Sequence, residues 1–176
     1  MARILILYST TDGQTLRICQ RLQAVVQPLG HEATVLPIDQ SAQVDLAGFD
    51  KIVVGASIRY GKHSPIVFEF ARRNQALLDT KPNAFFTVNV VARKPEKNEP
   101  ATNPYMRKFL KLSAWTPREL GVFAGKIDYP KYDTMDRMVI RFIMWMTKGP
   151  TQPDAVVEFT DWTKVEAFGH VIAKMQ

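Results

Sequence analysis

The sequence predicts a single α/β domain in which helices cover both faces of a parallel β-sheet. Short apolar runs that are typical of buried strands alternate with stretches whose apolar residues recur at helical spacing. With 176 residues, 46% of them hydrophobic, the chain is long enough to bury a substantial core as one domain over 1–176. Because strand–helix–strand crossovers are right-handed, we expect a doubly wound sheet of five strands.

Each element has a local signal. Pro65 favours the first turn of a helix, Gly30 ends the first helix, and Thr160 or Asp161 is the expected N-cap of the last one. Cys19 falls at an apolar position of the first helix, so we expect it to be buried. The strands are predicted at 3–8, 32–38, 50–57, 83–91 and 119–127, and the helices at 16–29, weakly at 40–49, at 64–78 and at 160–175.

Two segments do not fit this alternation. They are 92–115, rich in Lys, Asn and Pro, and an insertion of about 128–153 beside the fifth strand. Both follow the carboxyl end of a strand, which is where open α/β sheets bind their ligands. We therefore expect both segments to border the functional site.

The formal net charge of +6 is concentrated in two places. Residues 93–111 carry six Lys and Arg against two Glu, 126–148 carry five against three Asp, and the remaining charges balance. This distribution indicates an anionic partner. One cysteine excludes an internal disulfide and a cysteine-based metal cluster, and we predict neither a metal site nor a nucleic-acid partner.

The segment after the first strand is a candidate phosphate-binding loop. Small hydroxylated residues and one glycine precede a helix there, and such a loop offers hydroxyls, backbone N–H groups and the positive end of a helix dipole. It is neither a dinucleotide fingerprint nor a P-loop. The alternative is a polar turn that merely caps the helix. The predicted contacts are Ser9, Thr10, Thr11, Asp12, Gly13, Gln14 and Thr15.

This loop resembles the FMN phosphate loop of flavodoxins, in which an aromatic residue such as Tyr8 is followed by hydroxyl residues, a Gly and a Thr. The resemblance implies a flavodoxin-like sheet with strand order 2-1-3-4-5 and FMN as cofactor. Asp12 departs from the pattern, because a carboxylate repels a phosphate. We expect its side chain to point away and to cap the first helix.

The loops after the third and fourth strands are expected to hold the flavin ring. Arg59 and Tyr60 are the candidates for a catalytic role, although a solvated polar loop would look similar. His63 is expected to be an exposed loop histidine and not a base. The predicted contacts are Ser57, Ile58, Arg59, Tyr60 and Gly61 in the first loop and Asn89, Val90, Val91, Ala92 and Arg93 in the second.

These loops, together with "NPYMRKFL", "YPKYD" and "DRMVIRFIM", resemble the flavodoxin-like, menaquinone-dependent protoporphyrinogen oxidases. The resemblance implies an enzyme of haem biosynthesis that oxidises protoporphyrinogen IX to protoporphyrin IX and reduces menaquinone or ubiquinone. The basic segment 93–111 would hold the propionates of the macrocycle. An electron-carrier flavodoxin and an NAD(P)H:quinone reductase are the alternatives.

Residues 134–149 raise the question of a membrane. The segment is too short to span a bilayer, and we expect either an interfacial helix or an ordinary helix packed on the sheet. The interfacial alternative would turn Phe142, Ile143, Trp145 and Met146 toward the lipid. The apolar N-terminus is too short for a signal peptide. The expected location is therefore the cytoplasmic face of the inner membrane, with homo-oligomerisation left open.

Overall fold

A computed structural model describes all residues, 1–176, and contains a parallel five-stranded sheet. The first strand pairs with the second on one side and with the third on the other, and the order along the sheet matches the predicted 2-1-3-4-5. A two-residue strand forms an antiparallel hairpin on the third strand, and two further short strands form a separate antiparallel pair. The predicted flavodoxin-like α/β class is confirmed.

Fourteen strands and α-helices follow one another along the chain. The strands are β1 (Arg3–Ser9), β2 (Glu32–Pro37), β3 (Lys51–Arg59), β4 (Lys62–His63), β5 (Asn83–Val88), β6 (Glu119–Phe123), β7 (Lys126–Asp128) and β8 (Val156–Glu158). The helices are α1 (Gln14–Val26), α2 (Pro65–Arg73), α3 (Gln75–Thr80), α4 (Pro104–Leu112), α5 (Thr134–Met146) and α6 (Trp162–Lys174).

The core consists of two apolar layers, one on each face of the sheet. Helices α1 and α6 cover one face, where Ile18, Leu22 and Phe168 are buried. Helices α2, α3 and α4 cover the other face, with Phe70 and Phe109 among the buried residues. Cys19 is fully buried in α1 as predicted, and burial raises the pKa of its thiol. The three central strands β1, β3 and β5 are therefore largely buried on both faces.

Several predicted elements differ from the structure, and the strand predicted over 83–91 ends at Val88. The fifth strand ends at Phe123, and the chain then leaves the main sheet to form β7. The single helix predicted over 64–78 is two helices, because Asn74 turns out of helical geometry and its side chain donates to the carbonyl of Phe70. The weak helix over 40–49 is two 3₁₀ turns, Ile38–Gln43 and Leu46–Gly48.

The segment between β7 and β8 forms a small unit at the carboxyl end of the sheet. Helix α5 begins at the N-cap Asp133, whose side chain accepts from the N–H of Asp136 at 2.8 Å. A third apolar cluster of Ile127, Tyr129 and Met144 holds the helix against β7. This unit places α5 next to the carboxyl ends of β3 and β5, where the two loops predicted to hold the flavin ring begin.

Candidate functional site

A cleft lies at the carboxyl ends of β1, β3 and β5, with α5 on its far side. The order of the sheet reverses between β1 and β3, and ligands of open α/β sheets bind at such a point. The cleft is lined by Thr10, Thr11, Asp12, Gln14, Thr15, Ser57, Ile58, Arg59, Tyr60, Gly61, Val88, Asn89, Val90, Val91, Tyr105, Gly125, Lys126, Ile127, Tyr132, Asp136, Val139, Ile140, Ile143 and Met144. Thirteen of the seventeen predicted cofactor contacts are in this set.

The loop before α1 is shaped to receive an anion. Gly13 takes a left-handed conformation at φ 87°, which favours glycine, and the hydroxyl of Thr10 accepts from its N–H at 3.0 Å. No side chain caps the first turn of α1. The hydroxyl of Thr15 is fully buried and has no hydrogen-bond partner. An orphaned buried donor beside uncapped helix amides fits the phosphate of FMN.

Asp12 does not cap α1, which corrects the expectation above. Its carboxylate lies at the solvent-exposed rim of the cleft, where Arg59, Asp136 and Asp128 are its charged neighbours. Cleft atoms displace part of its hydration and so raise its pKa, the two aspartates add to the shift, and Arg59 opposes it.

The loop after β3 is a two-residue hairpin turn. Arg59 pairs with Lys62, and the two residues between them, Tyr60 and Gly61, have φ values of 51° and 75°. Positive φ at both central positions defines a type I′ turn, which matches the twist of the flanking strands. Tyr60 is 54% exposed, and the Arg59 guanidinium lies 5.3 Å from its ring centre. The turn therefore presents an aromatic face at the cleft.

The loop after β5 contributes three of its five predicted contacts to the cleft, namely Asn89, Val90 and Val91. Ala92 is buried in the apolar core instead. Arg93 donates to the carbonyl and the hydroxyl of Thr147, at 2.9 and 3.1 Å, and so holds the end of α5. Ser9 and Gly13 lie outside the cleft lining as well, at the end of β1 and at the N-cap of α1.

Helix α5 covers the cleft with one side and presents the other side to solvent. Its inner side carries Asp136, which forms an ion pair with Arg59, together with the apolar residues Val139, Ile140, Ile143 and Met144. Its outer side carries Met135, Met138, Phe142, Trp145 and Met146, which are 57–73% exposed.

The structure corrects one detail of the membrane hypothesis and assigns two arginines of α5 a structural role. Ile143 faces the cleft and not the outside. Arg137 donates to the backbone carbonyls of Tyr129 and Tyr132, and Arg141 donates to the carbonyl of Thr151 at 2.8 Å. Both arginines therefore help to hold α5 in place, and replacing them would disturb the helix itself.

Sequence reasoning missed several cleft residues, including Tyr105, Lys126 and Tyr132. Burial raises the pKa of Tyr132 to about 12, so its phenol stays protonated at neutral pH. The cations in the cleft are Arg59 and Lys126, and no Lys or Arg of the basic segment 93–111 lines it. Which polar residues reach the site depends on where α4 and the segment from β7 to α5 lie in the fold, and the sequence does not show this. The two tyrosines of "YPKYD" were the one signal in the sequence that this segment could contribute to a site.

His63 is buried and not exposed, contrary to expectation. Its ring packs edge-on against Phe85 and Phe109, and its Nε2 lies 2.9 Å from the Thr87 hydroxyl. This burial, with a contribution from Lys108, lowers the pKa of His63 from 6.5 to about 4. The residue is therefore neutral at physiological pH.

We expect His63 to make the fold acid-sensitive. The unfolded chain binds a proton at this residue near pH 6.5 and the folded chain only near pH 4, so stability present above pH 6.5 is lost as the pH falls toward 4. This component amounts to about 2–4 kcal/mol. The free energy of unfolding, measured in urea, should depend less steeply on pH in His63→Gln than in the parent, by the uptake of one proton. Equal slopes in parent and variant would contradict the assignment.

Comparisons with known proteins show the family to which the chain belongs. The profile of the flavodoxin domain family matches residues 5–154. The chain is 42% identical over 173 residues to an Escherichia coli K12 protein named protoporphyrinogen IX dehydrogenase [quinone]. The alignment covers 98% of this chain and 96% of that protein. A Leishmania major protein of the same name is 40% identical over 98% of this chain and 75% of its own length.

Solved structures support the fold alone. Flavodoxin 2 from Bacillus cereus superposes with a TM-score of 0.58 at 18% identity, over 98% of this chain and 99% of that one. Flavodoxin 1 from the same organism gives 0.55 at 17% identity, over 98% of each chain. The family match and the 42% identity show that this chain belongs to the flavodoxin domain family, in the group of oxidoreductases that includes the proteins named protoporphyrinogen IX dehydrogenase [quinone].

Proposed function

We propose that this chain binds FMN in the cleft and oxidises protoporphyrinogen IX to protoporphyrin IX, a step of haem biosynthesis, with a membrane quinone as electron acceptor. The observation that carries the proposal is the cleft itself, in which a phosphate cradle opens into an apolar slot under α5. The names of the relatives at 42% and 40% identity supply the substrate and the acceptor class.

The cofactor assignment rests on the phosphate cradle. The hydroxyls of Thr10, Thr11 and Thr15 and the free amides of α1 would hold the phosphate, and Tyr60 and Val90 would flank the ring. No lysine or arginine lies in the loop, which suits a tightly held monophosphate. When bound, FMN supplies the two-electron redox chemistry, and the chain supplies binding, orientation and exclusion of water.

The residues that line the cleft support this substrate. Apolar residues of α5, among them Val139 and Ile140, line the cleft and would contact the apolar part of a macrocycle. Arg59 and Lys126 are the cations in the cleft and are suited to the two propionates through charge-assisted hydrogen bonds. Carboxylates of Asp12 and Asp136 offset these charges, so the cleft has a mixed and not a purely basic character.

The acceptor assignment adds a membrane surface. No helix of the structure has the length and apolar character needed to cross a bilayer. The exposed apolar residues of α5 alternate in sequence with Arg141 and are followed by Lys148, both exposed cations, and this composition suits the interface of an anionic bilayer. The proposal therefore includes peripheral attachment to the cytoplasmic face of the inner membrane, from which the enzyme would reach menaquinone or ubiquinone.

The experiment that tests this function compares electron donors without oxygen. Purified protein is supplied with FMN and a quinone, and protoporphyrinogen IX, NADH and NADPH are offered in turn. We expect quinone reduction with protoporphyrinogen IX, accompanied by porphyrin fluorescence, and none with the nicotinamides. Turnover with NADH or NADPH alone would favour a quinone reductase, and no turnover with any donor would favour an electron carrier.

Arg59 and Tyr60 are expected to affect flavin reduction more than folding. Arg59 is half exposed, so its ion pair with Asp136 contributes at most about 1 kcal/mol to stability. Arg59→Ala should slow reduction of the bound flavin at least tenfold, as should Tyr60→Ala. Adding Asp136→Asn to Arg59→Ala should restore stability but not the rate. Parallel losses of rate and stability would instead indicate a structural role.

A further inference from the structure

Asn103 links the loop after β5, which contains Asn89, to the start of α4, which carries the cleft residue Tyr105. It is fully buried at the N-cap of α4, and its Oδ1 accepts from the N–H groups of Tyr105 and Met106, both at 3.1 Å. Its Nδ2 donates to the carbonyl of Lys97 at 2.9 Å and to Oδ1 of Asn89 at 3.1 Å. One side chain thus ties together three separate segments.

Asn89 completes a reciprocal amide pair. Its Nδ2 donates to Oδ1 of Asn103 at 3.3 Å, while its own Oδ1 accepts from Asn103 and from the N–H of Ala92 at 3.0 Å. The same Nδ2 donates to the Thr87 hydroxyl at 3.3 Å. Because that hydroxyl accepts this bond, its single proton is available for Nε2 of neutral His63 at 2.9 Å.

The network is buried, and every member has a partner. His63, Thr87, Asn89 and Asn103 are all at most 5% exposed, so any bond that is lost leaves a polar group without water. Satisfied buried networks of this kind specify one arrangement of the backbone. Here the arrangement includes Asn89 and Tyr105, which both line the cleft.

From this we infer that Asn103 and Thr87 are positioning residues for the flavin ring: they hold the Asn89 loop and Tyr105 at the spacing the ring requires. The inference rests on the proposed FMN site and adds residues that lie outside the cleft lining. Its consequence is that FMN affinity and the midpoint potential of the bound flavin depend on hydrogen bonds made behind the site.

Asn103→Asp separates positioning from capping. Aspartate is as good an N-cap as asparagine, so the bonds from Tyr105 and Met106 remain. The two bonds donated by Nδ2 are lost, and the new oxygen faces the acceptors of Asn89 and Lys97. We expect the Kd for FMN, measured by quenching of flavin fluorescence in apoprotein, to rise at least tenfold and the midpoint potential to shift.

Asn83→Asp is the matched control. Asn83 is buried at the opposite end of β5, its Nδ2 donates to the carbonyls of Leu78 and Lys81, and its Oδ1 accepts from Trp115 and Arg118. The substitution therefore removes the same number of buried donor bonds away from the cleft. We expect a similar loss of stability and a change in FMN Kd of less than twofold.

The isosteric Thr87→Val serves as a second test if Asn103→Asp does not fold. It should weaken FMN binding at least fivefold, because both Asn89 and His63 lose a partner. The positioning role alone would be overturned if the parent binds FMN and Asn103→Asp binds it as tightly as Asn83→Asp does. If Asn103→Asp does not fold, the same comparison is made with Thr87→Val. A parent protein that does not bind FMN would overturn the proposed function and this inference together.

Discussion

Thr15→Val is expected to change stability and cofactor affinity in opposite directions. The hydroxyl of Thr15 is buried without a partner, and an unsatisfied buried donor costs about 1–3 kcal/mol. Valine keeps the branched shape and removes that group, so the apoprotein should become more stable by about this amount. In the FMN complex the variant lacks one hydrogen bond to a charged phosphate, a loss of about 1.5–3 kcal/mol, or roughly 10- to 150-fold in Kd.

Thr160→Val provides the control for this prediction. The Thr160 hydroxyl donates to the carbonyl of Ala124 at 2.7 Å and accepts from Gln14 at 2.9 Å, so its removal should destabilise the apoprotein. FMN affinity should change little, since Gln14 keeps its bond to Glu158. Thermal unfolding of apoprotein and fluorescence titration with FMN measure both quantities. A Thr15→Val apoprotein that is less stable than the parent would mean that the hydroxyl has a partner in the free protein.

Replacement of two aromatic residues on α5 is expected to abolish membrane attachment. Phe142 and Trp145 are 57% and 71% exposed, with ring centres 6.2 Å apart, and neither lines the cleft. Burying each side chain in a bilayer interface contributes about 1.5–3 kcal/mol. Phe142→Ser with Trp145→Ser should therefore reduce binding to anionic vesicles by roughly a hundredfold or more, as measured by sedimentation.

Leu112→Ser is the matched control, because Leu112 is 59% exposed on α4 and does not belong to the α5 surface. Its vesicle binding should equal that of the parent. The double variant should retain activity with a short-chain, water-soluble quinone and lose it with a long-chain quinone in vesicles. If the parent does not bind vesicles, or if the double variant loses activity equally with both quinones, the proposed membrane attachment would be contradicted. The proposed flavin site would not be affected by that result.

The fold and the position of the loop before α1 could be predicted from the sequence because both depend on local pattern. Continuous apolar runs such as 50–57 mark strands that are buried on both faces, and Gly13 among hydroxyl residues marks a loop before a helix. The strand order followed from the resemblance to flavodoxins, and the structure has it.

The upper part of the site could not be predicted because it depends on long-range contacts. Asp136 forms an ion pair with Arg59, which lies 77 residues earlier in the chain. Asn103 forms a hydrogen bond with Asn89 because the N-terminus of α4 packs against the loop after β5. The periodicity of α5 shows apolar residues around most of the helix, but it does not show that Ile143 faces the cleft while Phe142 faces solvent. His63 looked exposed because its two-residue strand is too short to show a pattern.

Under the proposed function, the flavin in this cleft takes its electrons from protoporphyrinogen IX. The direct measurement mixes the FMN-loaded protein with protoporphyrinogen IX in the absence of oxygen and quinone, and follows flavin absorbance and porphyrin fluorescence together. We expect flavin absorbance to bleach as porphyrin fluorescence rises, with three flavins reduced for each porphyrin formed, because six electrons leave the macrocycle. Flavin that stays oxidised with this substrate but bleaches on addition of NADH or NADPH would contradict it.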